Sequence, residues 1–175
     1  MFDPTAYDNM KVVIDGYFYD MDLEGKISII DRNDIVNLSK LSREYTIQFQ
    51  LRDTRKEYLA TLCLKADLEN LAAELLNLKS VPNRIGSLVE LEFVVYHPNE
   101  PIYFNKIHDQ FKQIWGEKRT IQQQVHFNPF SNSHAIENRV TINFNRIIIE
   151  EQIDDLLVIG NYMIETLTWL ENEIY

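Results

Sequence analysis

The side chains of this sequence that most often bind metals or act as nucleophiles are four histidines and one cysteine. The histidines are His97, His108, His126 and His134. They form neither HxxxH nor HExxH, the spacings that place two zinc ligands on one face of a helix. His126 and His134 flank a polar segment and could face each other across a hairpin, with Glu137 nearby, as a weak metal site. The sequence favours the alternative of two exposed imidazoles.

Cys63 lies between Leu62 and Leu64 in an apolar segment with no histidine close by in the sequence. This environment predicts a buried, unreactive thiol and not a nucleophile. The sequence also lacks a glycine-rich phosphate loop, a G-x-S-x-G nucleophile elbow and a P-loop. We therefore predict no catalytic residue, no resident metal and no cofactor.

Acidic side chains recur at positions one, three, five and twelve of residues 20–31, with Gly25 at position six. They belong to Asp20, Asp22, Glu24 and Asp31. The segment resembles the calcium-binding loop of the EF-hand family, and the resemblance implies oxygen ligation of Ca²⁺ around a sharp glycine turn. It departs from the family at position five, which is Glu, and at position twelve, which is Asp. Because residues 10–19 alternate as a strand, the favoured alternative is a β-hairpin that turns at Glu24-Gly25.

The elements that would position these residues begin with that strand, followed by a second strand from Ile27. Asn33 or Asp34 could cap a short helix that places Ile35, Leu38 and Leu41 on one side.

Two further strands are predicted at residues 45–52 and 58–64, followed by a helix of residues 68–78 capped by Asp67. The second half starts with a strand at 88–96 and a helix between Pro101 and Gly116. Strands at 121–127 and 140–144 and a long helix from residue 150 complete the chain.

The predicted order of elements is therefore ββαββα followed by βαββα. It indicates a single α+β domain of residues 1–175, with a mainly antiparallel sheet of about seven strands and helices packed on it. Without the first strand both halves read βαββα, so an internal duplication joined near residues 80–87 is the alternative.

Composition narrows the class of partner. The chain is 45% hydrophobic and 25% charged, as in ordinary globular domains, and its net charge of −10 disfavours nucleic acid and anionic membranes as partners. The N-terminus has no signal-peptide pattern, and apolar runs are too short to span a bilayer. With a single cysteine, these features predict a cytoplasmic protein.

Charge is unevenly distributed along the sequence. Residues 1–25 carry a net charge of −5 and residues 147–175 a net charge of −7, whereas residues 26–146 carry +2. Such acidic ends could attract a basic partner protein, or they could be solvated faces that pack beside the basic middle of the chain.

The C-terminal helix is apolar over more than half of its circumference, so it must be buried on two sides. A curved sheet or a homodimer would satisfy this equally, and Ile159, Tyr162 and Trp169 are the candidate interface residues. The function predicted from sequence is a non-enzymatic protein-interaction or regulatory domain that binds another protein or itself. The alternative is a small-molecule-binding domain or enzyme, with a pocket between sheet and helices lined by aromatic and amide side chains such as Gln122, Gln124, Asn143 and Asn145.

Overall fold

A computed structural model of the 175-residue chain describes residues 5–76, 85–130 and 134–174. Within these residues the helices are α1 (Thr5–Leu23), α2 (Leu68–Leu75), α3 (Pro101–Trp115) and α4 (Ile153–Glu173). The strands are β1 (Ile27–Asn37), β2 (Ser42–Leu51), β3 (Leu59–Ala66), β4 (Ser87–Pro98), β5 (Thr120–His126) and β6 (Ala135–Ile148). The strands form one antiparallel sheet of order β1-β2-β3-β4-β6-β5. The predicted α+β class is confirmed, with six strands in place of about seven.

The core lies on one face of this sheet. Strand register aligns Ile47, Leu62, Leu91, Ile142 and Ile121 in one row across β2, β3, β4, β6 and β5. The first four of these side chains are fully buried. Because successive strand residues point to opposite faces, the residues between them place polar side chains on the other face. One-sided burial therefore follows from the alternation in the sequence.

The helix layer covers the apolar face, with α4 between α1 and α3 and in contact with β2 and β3. Tyr17 of α1 donates a hydrogen bond to Asn161 of α4 at 2.9 Å. Close packing depends on Gly160, because a Cβ there would lie 2.4 Å from a carbon of the Tyr17 ring. None of the described helices has the length and apolarity needed to cross a bilayer.

The strand predicted at residues 10–19 is wrong, because these residues belong to α1. Apolar residues alternate there, but Tyr7, Met10, Ile14 and Phe18 also recur every three or four residues and are fully buried. Helical spacing prevails because one face of α1 fills the groove beside α4 and β1. The predicted hairpin turn at Glu24-Gly25 is consequently a helix-to-strand turn, in which Gly25 has a φ of 75°.

The short helix predicted after Asn33 is also wrong, because β1 continues to Asn37 and pairs with β2 along its length. Asp34 does not cap a helix there, because its carboxylate binds Lys11 at 2.6 Å and Arg43 at 3.2 Å. The first half of the chain thus reads αβββα and differs from the βαββα of the second half. Element order no longer argues for an internal duplication, which stays a hypothesis.

The later elements agree with prediction. Asp67 caps α2 by accepting a hydrogen bond from the Asn70 backbone at 2.9 Å. Pro101 starts α3, and Gly116, with a φ of 85°, ends it. The predicted end of α2 at residue 78 and most of the connection near 80–87 lie outside the described residues.

Candidate functional site

The calcium-like segment does not bring its carboxylates together. Asp22 of α1 binds Arg52 at 2.5 Å, and Glu24 binds Lys26 at 2.7 Å. Asp31 lies in β1 and accepts a hydrogen bond from Asn33 at 2.8 Å. A helix does enter this segment, as in the EF-hand family, but a strand leaves it. Among the residues that the structure describes, no group of three His, Cys, Asp or Glu side chains could hold a metal ion.

The predicted pair His126 and His134 lies around a wide depression of about 880 Å³ at the tip of β5 and β6. Glu137 and Tyr96 also line it. The Glu137 carboxylate accepts hydrogen bonds from Arg139 at 2.7 Å and from Tyr96 at 3.4 Å. Glu137 is therefore engaged by a guanidinium and a phenol, an arrangement that competes with metal ligation.

Cys63 is a buried free thiol whose register neighbours are Thr46 and Glu90. Burial raises the pKa of the thiol to about 12. Because the thiolate is the nucleophile, this position is unsuited to nucleophilic catalysis at neutral pH.

A buried histidine that sequence reasoning did not single out lies between β4 and α3. The His97 ring stacks on Tyr103, and its Nδ1 lies 2.7 Å from the Pro98 carbonyl oxygen. Its Nε2 lies 3.0 Å from Nδ2 of Asn138, which also donates a hydrogen bond to Gln123 at 2.8 Å. Burial lowers the pKa of His97, so the ring is neutral near pH 7. These hydrogen bonds join β4, β6 and β5, and Gln123 also donates to the Phe104 carbonyl oxygen at 3.0 Å, so the network ties α3 to the sheet.

Most of the wide apolar arc of the C-terminal helix packs inside one chain, although Val158 and Tyr162 are 50% and 41% exposed. Ile159 belongs to the core, and Tyr162 packs its ring 5.8 Å from that of Trp115. Trp169 is partly buried, with the Lys106 ammonium 5.9 Å from its ring. Because α1, α3 and the sheet all contact α4, the width of the arc does not require a dimer. The predicted amides Gln122, Gln124 and Asn143 lie on the opposite face of the sheet from this helix layer, and Asn145 binds Thr120 at 2.7 Å.

A group of exposed apolar side chains lies instead at the β1 edge of the sheet. Among the described strands β1 pairs only with β2, so about every second one of its eleven residues directs its backbone N–H and C=O away from the sheet. Ile30, Ile35 and Val36 of this strand are about half exposed. An edge strand of this length offers a template for pairing with another strand, and the charges of residues 31–34 at its centre limit which partner strands fit.

Helix α1 runs beside this edge and is held there by ion pairs, among them Lys11 with Asp34 and three formed by a row of aspartates. Asp8, Asp15 and Asp22, spaced by seven residues, contact Arg43 at 3.0 Å, Arg32 at 2.8 Å and Arg52 at 2.5 Å. The spacing of seven places the three acids on one side of the helix, toward β1 and β2.

Because Asp8, Asp15 and Asp22 face β1 and β2, helical spacing indicates which other side chains of α1 lie near the edge. Val12 and Tyr19 each follow an acid of the row by four residues, and Leu23 follows Tyr19 by four. All three are more than half exposed. We call residues 30–36 together with Val12, Tyr19 and Leu23 the β1 surface.

Electrostatics at the β1 surface keep its carboxylates ionised. Burial alone would raise the pKa of Asp15, but hydrogen bonds from Tyr45 and Arg32 outweigh it and lower that pKa. The pKa of Asp34 is likewise lowered, since Lys11 and Arg43 outweigh the effect of burial. The β1 surface therefore presents fixed charges of both signs between its apolar side chains.

No family model, curated protein or solved structure matches the chain.

Proposed function

We propose that this protein is a non-enzymatic protein-interaction domain that self-associates through the β1 surface. The observation that carries the proposal is an edge strand of eleven residues whose outer side pairs with no other described strand, bordered by exposed apolar side chains of β1 and α1. Two copies joined here would form one continuous sheet with their α1 helices side by side.

The sequence of β1 favours one pairing register. In a two-fold antiparallel pair the facing side chains lie on the same face of the sheet, so their residue numbers have an even sum. Centring the pair on Asn33 places Arg32 of each copy opposite Asp34 of the other. Shifting the centre by one residue in either direction places two arginines or two aspartates opposite each other instead. Charge complementarity therefore selects the Asn33 register.

The register also extends contacts that exist within one chain. Arg32 binds Asp15 at 2.8 Å, and Asp34 binds Lys11 at 2.6 Å. A cross-copy pair would join these into one network of alternating charges. The acidic helix α4 lies on the far side of α1 from β1, so the like charges of the two α4 helices stay apart.

Amide hydrogen exchange and sedimentation test the proposal together. Protection of residues 31–35 should rise with protein concentration, whereas that of β5, the opposite edge strand, should not. Sedimentation should show a dimer over the same range of concentration. A single species near 20.7 kDa at every concentration contradicts self-association. A dimer with equal protection of both edges contradicts the assignment to β1.

A further inference from the structure

A second surface, independent of β1, is a crevice of about 230 Å³ where the end of α3 meets β6 and α4. Its aromatic wall consists of Trp115, Phe144 and Tyr162. The Trp115 ring lies edge-on to Phe144 at 6.2 Å and 5.8 Å from the ring of Tyr162. Because the Trp115 indole N–H already donates to Thr166 at 3.2 Å, the ring offers the crevice only apolar surface.

The crevice also holds a guanidinium that lacks a carboxylate partner. Arg119 places its guanidinium carbon 4.6 Å from the centre of the Phe144 ring. Its Nε is buried and donates no hydrogen bond, and no carboxylate of residues 5–76, 85–130 or 134–174 lies within ion-pair distance of it. A buried donor without an acceptor is costly, so this group is prepared to bind an acceptor that enters from outside.

The remaining charges of the crevice define the charge of that ligand. Arg146 is neutralised by Asp155 at 3.3 Å and also donates to Gln152 at 2.9 Å. One uncompensated positive charge, that of Arg119, therefore remains. Its planar fork of N–H donors suits a carboxylate, which it binds through two parallel hydrogen bonds.

Size and shape define the rest of the ligand. The volume is below the roughly 300–1,000 Å³ of sites for drug-sized molecules, so it limits the ligand to about one ring. Flat aromatic rings pack well against an aromatic wall in offset or edge-to-face geometry. We propose that this crevice binds a small aromatic monocarboxylate, with the carboxylate on Arg119 and the ring against Trp115 and Tyr162.

Phenylacetate is the probe for this site, and phenylacetamide, its uncharged counterpart of the same shape, is the matched control ligand. In ¹H–¹⁵N spectra, phenylacetate should shift the indole signal of Trp115 in a saturable way and leave that of Trp169 unchanged. Phenylacetamide should bind at least about tenfold more weakly, because it cannot form the charge-assisted pair.

The variants Arg119→Gln and Lys118→Gln remove the same charge at neighbouring positions. We expect Arg119→Gln to weaken phenylacetate binding at least about tenfold and Lys118→Gln, on an exposed side chain, to leave it unchanged. Arg119→Lys keeps the charge but loses the planar fork, so it should give an intermediate affinity and also serves if Arg119→Gln does not fold. Absence of saturable binding, equal binding of the amide, or equal losses in both glutamine variants would overturn the proposal.

Discussion

Charge-swapped variants of β1 offer the sharpest test of the proposed pairing register. Arg32→Asp alone would place two carboxylates opposite each other twice in a dimer, and Asp34→Arg alone would do the same with two guanidiniums. In an equimolar mixture, the carboxylate introduced at position 32 faces the guanidinium introduced at position 34, and the native Asp34 faces the native Arg32. Each variant alone should therefore dissociate, whereas the mixture should form a heterodimer.

The size of the effect follows from the two symmetric pairs. An opposite-charge pair across strands contributes about 0.2–1 kcal/mol, and a like-charge pair opposes association by a similar amount. Reversing both pairs weakens the dimer by about 0.8–4 kcal/mol, or roughly four- to several-hundred-fold in Kd. Because about half of the Arg32 side chain is exposed, screening favours the lower part of this range, about four- to thirtyfold.

Sedimentation equilibrium of each variant and of the mixture, at a concentration where the wild type is dimeric, measures these differences. The variants also lose ion pairs within their own chains, but that loss is the same alone and in the mixture, so the mixture is its own control. The Asn33 register is refuted if both variants dimerise as strongly as the wild type, or if mixing them restores nothing.

Four other outcomes follow from the structure. Gly16→Ala, on an open face of α1, should raise the free energy of unfolding in urea by about 0.5–1 kcal/mol. Gly160→Ala should lower that free energy by about 1–2 kcal/mol, because the added methyl group would clash with the Tyr17 ring of α1. The thiol of Cys63 should react with a labelling reagent far more slowly in the native protein than in denaturant. Millimolar Ca²⁺ should leave the Tm unchanged, since the acids of residues 20–31 do not converge, and a rise in Tm would restore the calcium interpretation. The lowered pKa of His97 means that the unfolded chain binds the extra proton, so stability should fall as the pH drops below about 6.5, with a slope of up to about 1.4 kcal/mol per pH unit that is absent in His97→Gln.

Local signals sufficed for most of the fold. The alternation of β2 and β3, the cap at Asp67 and the Pro101–Gly116 frame of α3 each define their element within a short window of sequence. These predictions succeed because each local pattern is compatible with only one type of element.

The errors arose where two periodicities coincide. In α1 the apolar residues satisfy both alternation and helical spacing, and only the row of acids at Asp8, Asp15 and Asp22 distinguishes a helix. The spacing of seven can be read from the sequence, but the sequence does not show that Arg32, Arg43 and Arg52 pair with these acids in the fold. In β1, pairing with β2 prevails over the capping tendency of Asn33 and Asp34.

The candidate sites were less predictable than the fold. Whether a strand lies at an edge depends on the order of all six described strands. The sequence of β1 alone therefore could not predict that β1 is an edge strand. The crevice likewise combines α3, β6 and α4, and Arg119 becomes notable only because no carboxylate of the described chain reaches it.

The uneven charge along the sequence bears on the kind of partner. Asp8, Asp15 and Asp22 of α1 contact arginines of β2, of β1 and of the turn after β2, and in α4 Asp155 contacts Arg146 and Glu173 contacts Lys106. Both acidic ends therefore pack against bases from the middle of the chain, and charges that are segregated in sequence are interleaved in space. Exposed acids are spread along α4, whereas at β1 charges of both signs lie between exposed apolar side chains. In the proposed dimer the partner copy is thus selected by backbone pairing and local charge order at the β1 surface more than by the net negative charge.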